Sequence, residues 1–380
     1  MARFKELEAL YIHIPFCNRI CTYCDFYKMV ANDETKKQYI SYLIKELDLR
    51  KPLLANIKTI YIGGGTPTSL DNNLLEELLT AIEERIDLNQ VKEYSIEANP
   101  LDLNINKCNL LKKHKINRVS VGAQSFNQDK LKILGRIHTQ EDIVLAIKNL
   151  KKAKINNINI DLIYGLENDS FFKFKNDLKK VIKLNVTHIS TYCLILEEKT
   201  ILYKLYKEGK FKELSDDKQA KMYYKTIRYL KKYGFKHYEV SNFSKAGFES
   251  IHNLTYWNNE KYIGIGASSA YYLDNVRYTN ICNLKKYYQG IDNNNLNYNE
   301  QIKLSNIDQM KEEFILGLRK VKGVSLVNFN YKFGMTIFDA FGTIINDLLA
   351  KKLLKISDDK YLYIPENKLF VSNAILEKFI

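Results

Sequence analysis

The chain lacks any long apolar stretch: across 380 residues there is no run of about eighteen apolar side chains, which excludes a membrane-spanning helix. Its opening residues, Met-Ala-Arg-Phe-Lys-Glu-Leu-Glu, hold no apolar core of the kind a secretory signal needs. Cysteine is scarce, with six in all, and three of the six share one short stretch, unlike a disulfide framework. A reducing compartment fits that usage, so the expected location is cytoplasmic. Internal repeats and long disordered tracts are absent as well.

Acidic residues are outnumbered, 44 Asp+Glu against 58 Lys+Arg, leaving a net charge of +14. Such an excess attracts nucleic acid, anionic membrane surfaces or acidic ligands. The lysines, however, are spread over many amphipathic segments, and the chain is rich in Asn, Ile, Lys and Tyr throughout. A general compositional bias accounts for that better than one binding stripe, and specific nucleic-acid binding is not expected.

What the chain does contain is a regular alternation. Short apolar runs at Leu10–Ile14, Thr59–Ile62, Glu93–Ala98, Arg118–Gly122, Asn157–Tyr164, His188–Cys193 and His237–Val240 predict strands. Between them, Glu34–Arg50, Leu74–Ile86, Asp142–Ala153, Phe172–Leu184 and Asp217–Tyr233 read as helices. This order predicts an α/β fold with a parallel sheet and right-handed crossovers. Six or seven units suggest a full or partial (β/α)6-type barrel, with its functional groups at the C-terminal ends of the strands. After about Asp274 the pattern changes. Helices at Met310–Leu318, Ile337–Leu349 and Asn373–Phe379, with a strand pair near Leu353–Ile356 and Lys360–Ile364, predict a small, mainly helical C-terminal domain. The expected division is 1–275 and 276–380.

The distinctive residues follow the expected strand ends. Cys17, Cys21 and Cys24 follow the first strand, and Gly63-Gly64-Gly65-Thr66-Pro67-Thr68 follows the second. Glu97-Ala98-Asn99-Pro100 closes the third, Gln124 follows the fourth, and Asp161 lies in the fifth. Thiolates are standard holders of iron–sulfur clusters. A four-iron cluster held by three of them keeps one iron open to an outside ligand. The competing reading is a zinc site completed by His13, but His13 belongs to the preceding strand and zinc explains neither the glycines nor the carboxylates. The glycine run is not a phosphate loop either, since it lacks the Gly-Lys-Ser/Thr ending. Cys108 and Cys193, in apolar surroundings, are expected to be ordinary buried thiols.

The motifs Tyr-Ile-His-Ile-Pro-Phe-Cys-x3-Cys-x-Tyr-Cys-Asp-Phe, Gly-Gly-Gly-Thr-Pro-Thr, Ile-Glu-Ala-Asn-Pro, Gly-Ala-Gln-Ser-Phe, Gly-Arg-Ile-His and Asn-Ile-Asp-Leu-Ile-Tyr-Gly-Leu together resemble the radical S-adenosylmethionine (SAM) superfamily. Within it they resemble the oxygen-independent coproporphyrinogen oxidase branch over roughly the first 270 residues, and more weakly to the end. The resemblance implies a TIM-like barrel carrying a [4Fe-4S] cluster on Cys17, Cys21 and Cys24. It also implies S-adenosylmethionine bound at the open iron through its amino and carboxylate groups. By the same resemblance, one electron from the cluster would cleave it to methionine and a 5′-deoxyadenosyl radical. In the same way the resemblance implies that Tyr11 lies beside the cluster and its ligand, and that the backbone of Tyr23 meets the adenine. Gly64, Gly65 and Thr66 would form the methionine-binding turn, while Glu97, Gln124, Arg136 and Asp161 would contact the ribose or the methionine carboxylate. Those residue types suit such contacts, since carboxylates accept from ribose hydroxyls and a guanidinium pairs with a carboxylate in two prongs.

Two departures from the oxidase branch point to its sister group of heme chaperones, HemW. Phe26 stands two residues after Cys24, where the oxidase branch has a fourth cysteine, and Tyr11 lies only ten residues from the start. A third feature, His252-Asn253-Leu254-Thr255-Tyr256-Trp257 with the only tryptophan, is similar to that group's His-Asn-x-x-Tyr-Trp motif, which is linked to heme. The alternative is that His252 hydrogen-bonds locally while Tyr256 and Trp257 pack under the barrel. After the fifth strand the family's Gly-Leu-Pro-x-Gln-Thr is here Gly165-Leu166-Glu167-Asn168-Asp169-Ser170. Its later Gly-x-Gly-Ala-Gly-Ala-His is Gly264-Ile265-Gly266-Ala267-Ser268-Ser269-Ala270, without the histidine.

The expected function is that of a heme-binding chaperone carrying a [4Fe-4S] cluster and S-adenosylmethionine, with heme as cargo and respiratory and other heme proteins as recipients. An electron donor is implied but unidentified; homodimerisation and contact with a membrane surface stay open. The alternatives are the enzyme that converts coproporphyrinogen III to protoporphyrinogen IX and, more weakly, a radical enzyme acting on RNA.

Overall fold

A computed structural model describes residues 7–380. The chain begins with β1 (Ala9–Ile14) and α1 (Asp33–Arg50), then β2 (Thr59–Gly64), α2 (Asn72–Glu83), β3 (Glu93–Ala98), α3 (Ile105–Lys113) and β4 (Arg118–Gln124). Next come α4 (Gln128–Ile133), α5 (Gln140–Lys152), β5 (Asn157–Tyr164), α6 (Phe171–Lys183) and β6 (His188–Cys193). The strands β1 to β6 lie side by side and parallel. Each helix starts where its sequence signals it. Asp71 caps α2 by accepting from Leu74 N–H at 2.9 Å, and Thr139 and Asp142 form a reciprocal capping box on α5, satisfying amides that have no partner inside the helix. Leu75, Leu78, Leu79 and Ile82, at helical spacing, bury the inner face of α2 in the core.

The barrel is partial. After α7 (Ile201–Lys207) and α8 (Asp216–Lys232), β7 (Lys236–Glu239) and β8 (Asn242–Ser244) form a hairpin, with β8 antiparallel to β6. The chain then passes beneath the barrel as α9 (Ile251–Trp257), and β9 (Ile263–Ile265) joins the far side of β1 in parallel. The nine-stranded order is β7-β8-β6-β5-β4-β3-β2-β1-β9. All seven strands expected in the barrel are present, with ends within two residues of expectation. The strands β8 and β9, three residues each, are too short to leave a periodic signal.

Beyond β9, β10 (Ala270–Leu273), β11 (Val276–Asn280) and β12 (Tyr298–Lys303) form an antiparallel sheet, with α10 (Leu284–Asp292) between its last two strands. The expected division at 275/276 falls in the turn of the β10–β11 hairpin. Residues past it also contact the barrel: Tyr287 of α10 donates to buried Glu46 of α1 at 2.6 Å. The C-terminal module holds α11 (Asn306–Gly317), α12 (Leu326–Phe333), α13 (Ile337–Ala350) and α14 (Ser372–Leu376). Its small sheet is made by β13 (Val324–Ser325), β14 (Lys355–Ile356) and β15 (Tyr361–Tyr363). The module is tied to the barrel edge through Val240 N–H to Arg319 O and Val321 N–H to Tyr238 O, both 3.0 Å. A cleft of about 1400 Å³, lined by Leu254, Met310, Val324 and Phe333 among others, lies between the two. Among the described residues no helix is long and apolar enough to cross a membrane.

Candidate functional site at the barrel mouth

Strand alternation places the site. Leu10, Ile12 and Ile14 are fully buried in the core, so the intervening Tyr11 and His13 point to the other face of β1. The same alternation puts Tyr61 of β2, Ser95 and Glu97 of β3, Ser120 of β4, and Asn159 and Asp161 of β5 on one interior face. Polar contacts across strands bear this out: Tyr61 OH donates to Glu97 Oε1 at 2.8 Å, and Ser120 Oγ and Asn159 Nδ2 donate to Asp161 at 3.0 and 2.8 Å.

The cysteine loop sits at the C-terminal end of β1, pinned at both ends. Cys17 N–H donates to Met29 O at 2.9 Å and Met29 N–H to Pro15 O at 2.7 Å. In the middle, Thr22 N–H donates to Leu134 O at 3.2 Å, while Leu202 N–H donates to Thr22 O at 2.8 Å. All three thiols are half-buried and free of disulfides. Burial raises the pKa of Cys17 and Cys24, and neighbouring thiols add to the rise. Among the described residues no three of His, Cys, Asp and Glu converge on a single ion. Three thiols around a multi-iron cluster need only reach separate irons, and a basic group is at hand: Arg136 Nη1 donates to Cys21 Sγ at 3.4 Å. The Nε of Arg136 is buried with no hydrogen-bond partner, a cationic donor suited to an anionic cluster or carboxylate. These residues therefore fit the expected cluster. His13 does not complete a zinc site, because Tyr11 OH engages its Nδ1 and Tyr27 O its Nε2, both at 3.0 Å. Burial lowers its pKa to about 4.

The glycine turn is adjacent. Gly64 adopts φ +114°, and a Cβ there would meet the His13 ring at 2.6 Å; both demands select glycine. At Gly65 a Cβ would fall 2.8 Å from Phe16 O. These glycines thus answer first to packing between the β1 and β2 ends. Gly64 N–H donates to Glu97 Oε2 at 3.1 Å, and Thr66 Oγ1 lies 3.5 Å from Cys17 Sγ, joining turn, carboxylate and thiol loop. Burial pushes the pKa of Glu97 up to about 7 and raises that of Asp161 as well. Gln124 ends β4 past a register shift, with φ +63°. Arg136 Nη2 donates to Gly122 O of the same strand. Tyr23 packs against a small apolar cluster that includes Leu134 and Leu202.

His252 is elsewhere. It lies on α9, under the N-terminal end of β2, and is fully buried. Its Nδ1 is engaged by Thr59 Oγ1 at 2.9 Å and its Nε2 by Tyr256 OH at 2.7 Å. Burial lowers its pKa to about 3. Neither ring nitrogen is free for a heme iron, and Tyr256 packs beside it, ring to ring at 5.0 Å. That geometry corresponds to the local hydrogen-bonding reading of the motif. Sequence reasoning missed Tyr61, the donor to Glu97, and the Ser120–Asn159 pair that holds Asp161. The signal that would have found them is polar residues at every second strand position.

Comparison with known proteins agrees with this architecture. The family model described as Radical SAM superfamily matches residues 11–181, and that of the HemN C-terminal domain matches residues 304–363. The protein named heme chaperone HemW of Lactococcus lactis subsp. lactis is 40% identical over 376 residues, 99% of this chain and 98% of its own. The protein of the same name from Bacillus subtilis is 35% identical over 377 residues, 98% of this chain and 99% of its own. The solved structure of coproporphyrinogen III oxidase (HemN) from Escherichia coli, described as a radical SAM enzyme, superposes with a TM-score of 0.85 at 24% identity, covering 100% of this chain and 91% of the other. With full-length relatives at this identity, the chain belongs to the radical SAM superfamily, in the family whose members are named heme chaperone HemW.

Proposed function

We propose that this protein is a heme-binding chaperone that passes heme to respiratory and other heme proteins, on a scaffold that carries a [4Fe-4S] cluster and S-adenosylmethionine. Membership of the radical SAM superfamily implies those two cofactors. The observation that carries the chaperone reading over the oxidase reading is Phe26. It occupies the place of the oxidase branch's fourth cysteine, and its side chain is 67% exposed, so core packing does not require it there.

Cys17, Cys21 and Cys24 hold the cluster, with Tyr11 beside it and Arg136 close to Cys21. The backbone at Gly64 and Gly65, with Thr66, seats the methionine end, and Arg136 pairs with its carboxylate. Glu97, Gln124 and Asp161 receive the ribose, and the backbone of Tyr23 meets the adenine. Bound together, the two cofactors supply one-electron chemistry at the barrel mouth. Burial raises the Glu97 pKa to about 7, so ribose hydroxyls meet a carboxyl whose charge near neutral pH responds to small changes in its surroundings. The test is a heme titration of the anaerobically reconstituted protein, followed by mixing with an apo heme protein. The reading expects a Soret band on the chaperone that moves to the recipient; a protein that acquires no Soret band contradicts it.

A further inference from the structure

We infer that His252 is a positioning residue of the S-adenosylmethionine chamber: from the barrel floor it fixes Tyr61 and, through Tyr61, the carboxyl of Glu97. This rests on the proposed reading of Glu97 and Gly64 as part of that chamber. The imidazole stacks on the Tyr61 ring, with centroids 5.2 Å apart and planes 25° apart. The Tyr11 ring faces Tyr61 as well, at 6.3 Å and 26°. With both rings stacked against it, Tyr61 directs its hydroxyl to Glu97 Oε1 at 2.8 Å, and the other oxygen of Glu97 accepts from Gly64 N–H at 3.1 Å.

The imidazole itself is immobilised. One ring nitrogen meets Thr59 Oγ1, at the start of the strand that carries Tyr61, and the other meets Tyr256 OH. A helix as short as α9 is not stable alone; a remote carboxylate anchors it. Glu93 accepts from Ser250 Oγ at 3.0 Å, Ile251 N–H at 2.7 Å and His252 N–H at 3.3 Å. Glu93 and Glu97 lie four residues apart on β3 and so share a face. The same strand therefore anchors the floor helix at one end and presents the chamber carboxyl at the other. Ligation of a heme iron would require His252 to give up one of two buried hydrogen bonds and strand its partner.

The test measures S-adenosylmethionine affinity by equilibrium dialysis and the heme Soret spectrum in parallel, on the reconstituted full-length protein. Tyr61→Phe and His252→Ala are each expected to weaken S-adenosylmethionine binding about tenfold, the scale of one hydrogen bond to a charged group. The double variant should be no weaker than Tyr61→Phe alone, because both changes act through one contact. The Soret position should be unchanged throughout. If His252→Ala fails to fold, Thr59→Val, which keeps the ring but removes one anchor, should weaken binding several-fold and again add nothing to Tyr61→Phe. Wild-type affinity in His252→Ala or Thr59→Val, fully additive effects, or a Soret shift in a His252 variant would each overturn the inference. Unchanged affinity in Glu97→Gln would overturn the chamber reading itself, and this inference with it.

Discussion

Replacing Glu97 with glutamine should change how stability depends on pH in a way the structure specifies. Burial raises the Glu97 pKa from 4.5 to about 7, and the nearby charge of Asp161 adds to the rise, while Tyr61, Gly64 and Arg118 oppose it. The folded state therefore binds the proton more tightly than the unfolded state, and this group's contribution to stability is greatest below pH 4.5. It falls as pH rises from 4.5 to about 7 and is constant above that. At about 1.4 kcal/mol per pKa unit, the loss across this window is at most about 3 kcal/mol. Glutamine cannot ionise, so Glu97→Gln abolishes that slope. It also turns an amide group toward Gly64 N–H, at a cost of about 1 kcal/mol at every pH. The variant should therefore be about 1 kcal/mol less stable than wild type near pH 4.5 and about 1–2 kcal/mol more stable at pH 8. Urea unfolding at a series of pH values, on protein without cofactors, gives the difference curve directly. A flat difference curve, or one that falls with rising pH, would refute the reasoning.

Other consequences are simpler to read out. Cys17→Ser, Cys21→Ser or Cys24→Ser should each abolish the visible absorbance of the reconstituted cluster, while Cys108→Ser, at a thiol fully buried away from the loop, should leave it intact. Glu93→Ala removes the acceptor of three donors at the start of α9 and should destabilise the protein by about 3 kcal/mol, measured by chemical denaturation. Phe314, fully buried and stacked on Phe379 at 4.7 Å, centres the C-terminal module. Phe314→Ala should cost about 3–5 kcal/mol and, because Phe314 is remote from the barrel mouth, should not alter the cluster spectrum.

Much of this architecture was legible from the sequence, for identifiable reasons. Strands such as Glu93–Ala98 and Asn157–Tyr164 are long enough to show their composition and are bounded by clear helical patterns, so their limits match expectation. The cysteines, the glycine turn, Glu97 and Gln124 lie at the strand ends where they were expected, and Asp161 lies inside β5 as expected, because a parallel α/β order sends those ends to one face. Short elements escaped notice. β9 covers only Ile263–Ile265 inside a glycine-rich stretch, and α9 gains its helical form from Glu93, about 160 residues away in sequence and invisible to local pattern. His252 illustrates the same limit. Its motif marks it as special, but only the placement of α9 beneath β2 reveals Thr59 and Tyr61 as its partners. Gly64 and Gly65, expected to form the methionine-binding turn, also make room for His13 and Phe16, a packing demand that the sequence pattern does not show.

The most direct test of the central claim follows heme uptake and coproporphyrinogen turnover side by side, anaerobically, on the reconstituted protein supplied with S-adenosylmethionine and a reductant. A heme Soret band with no protoporphyrinogen formed is the predicted result. Protoporphyrinogen accumulating without heme uptake would contradict it.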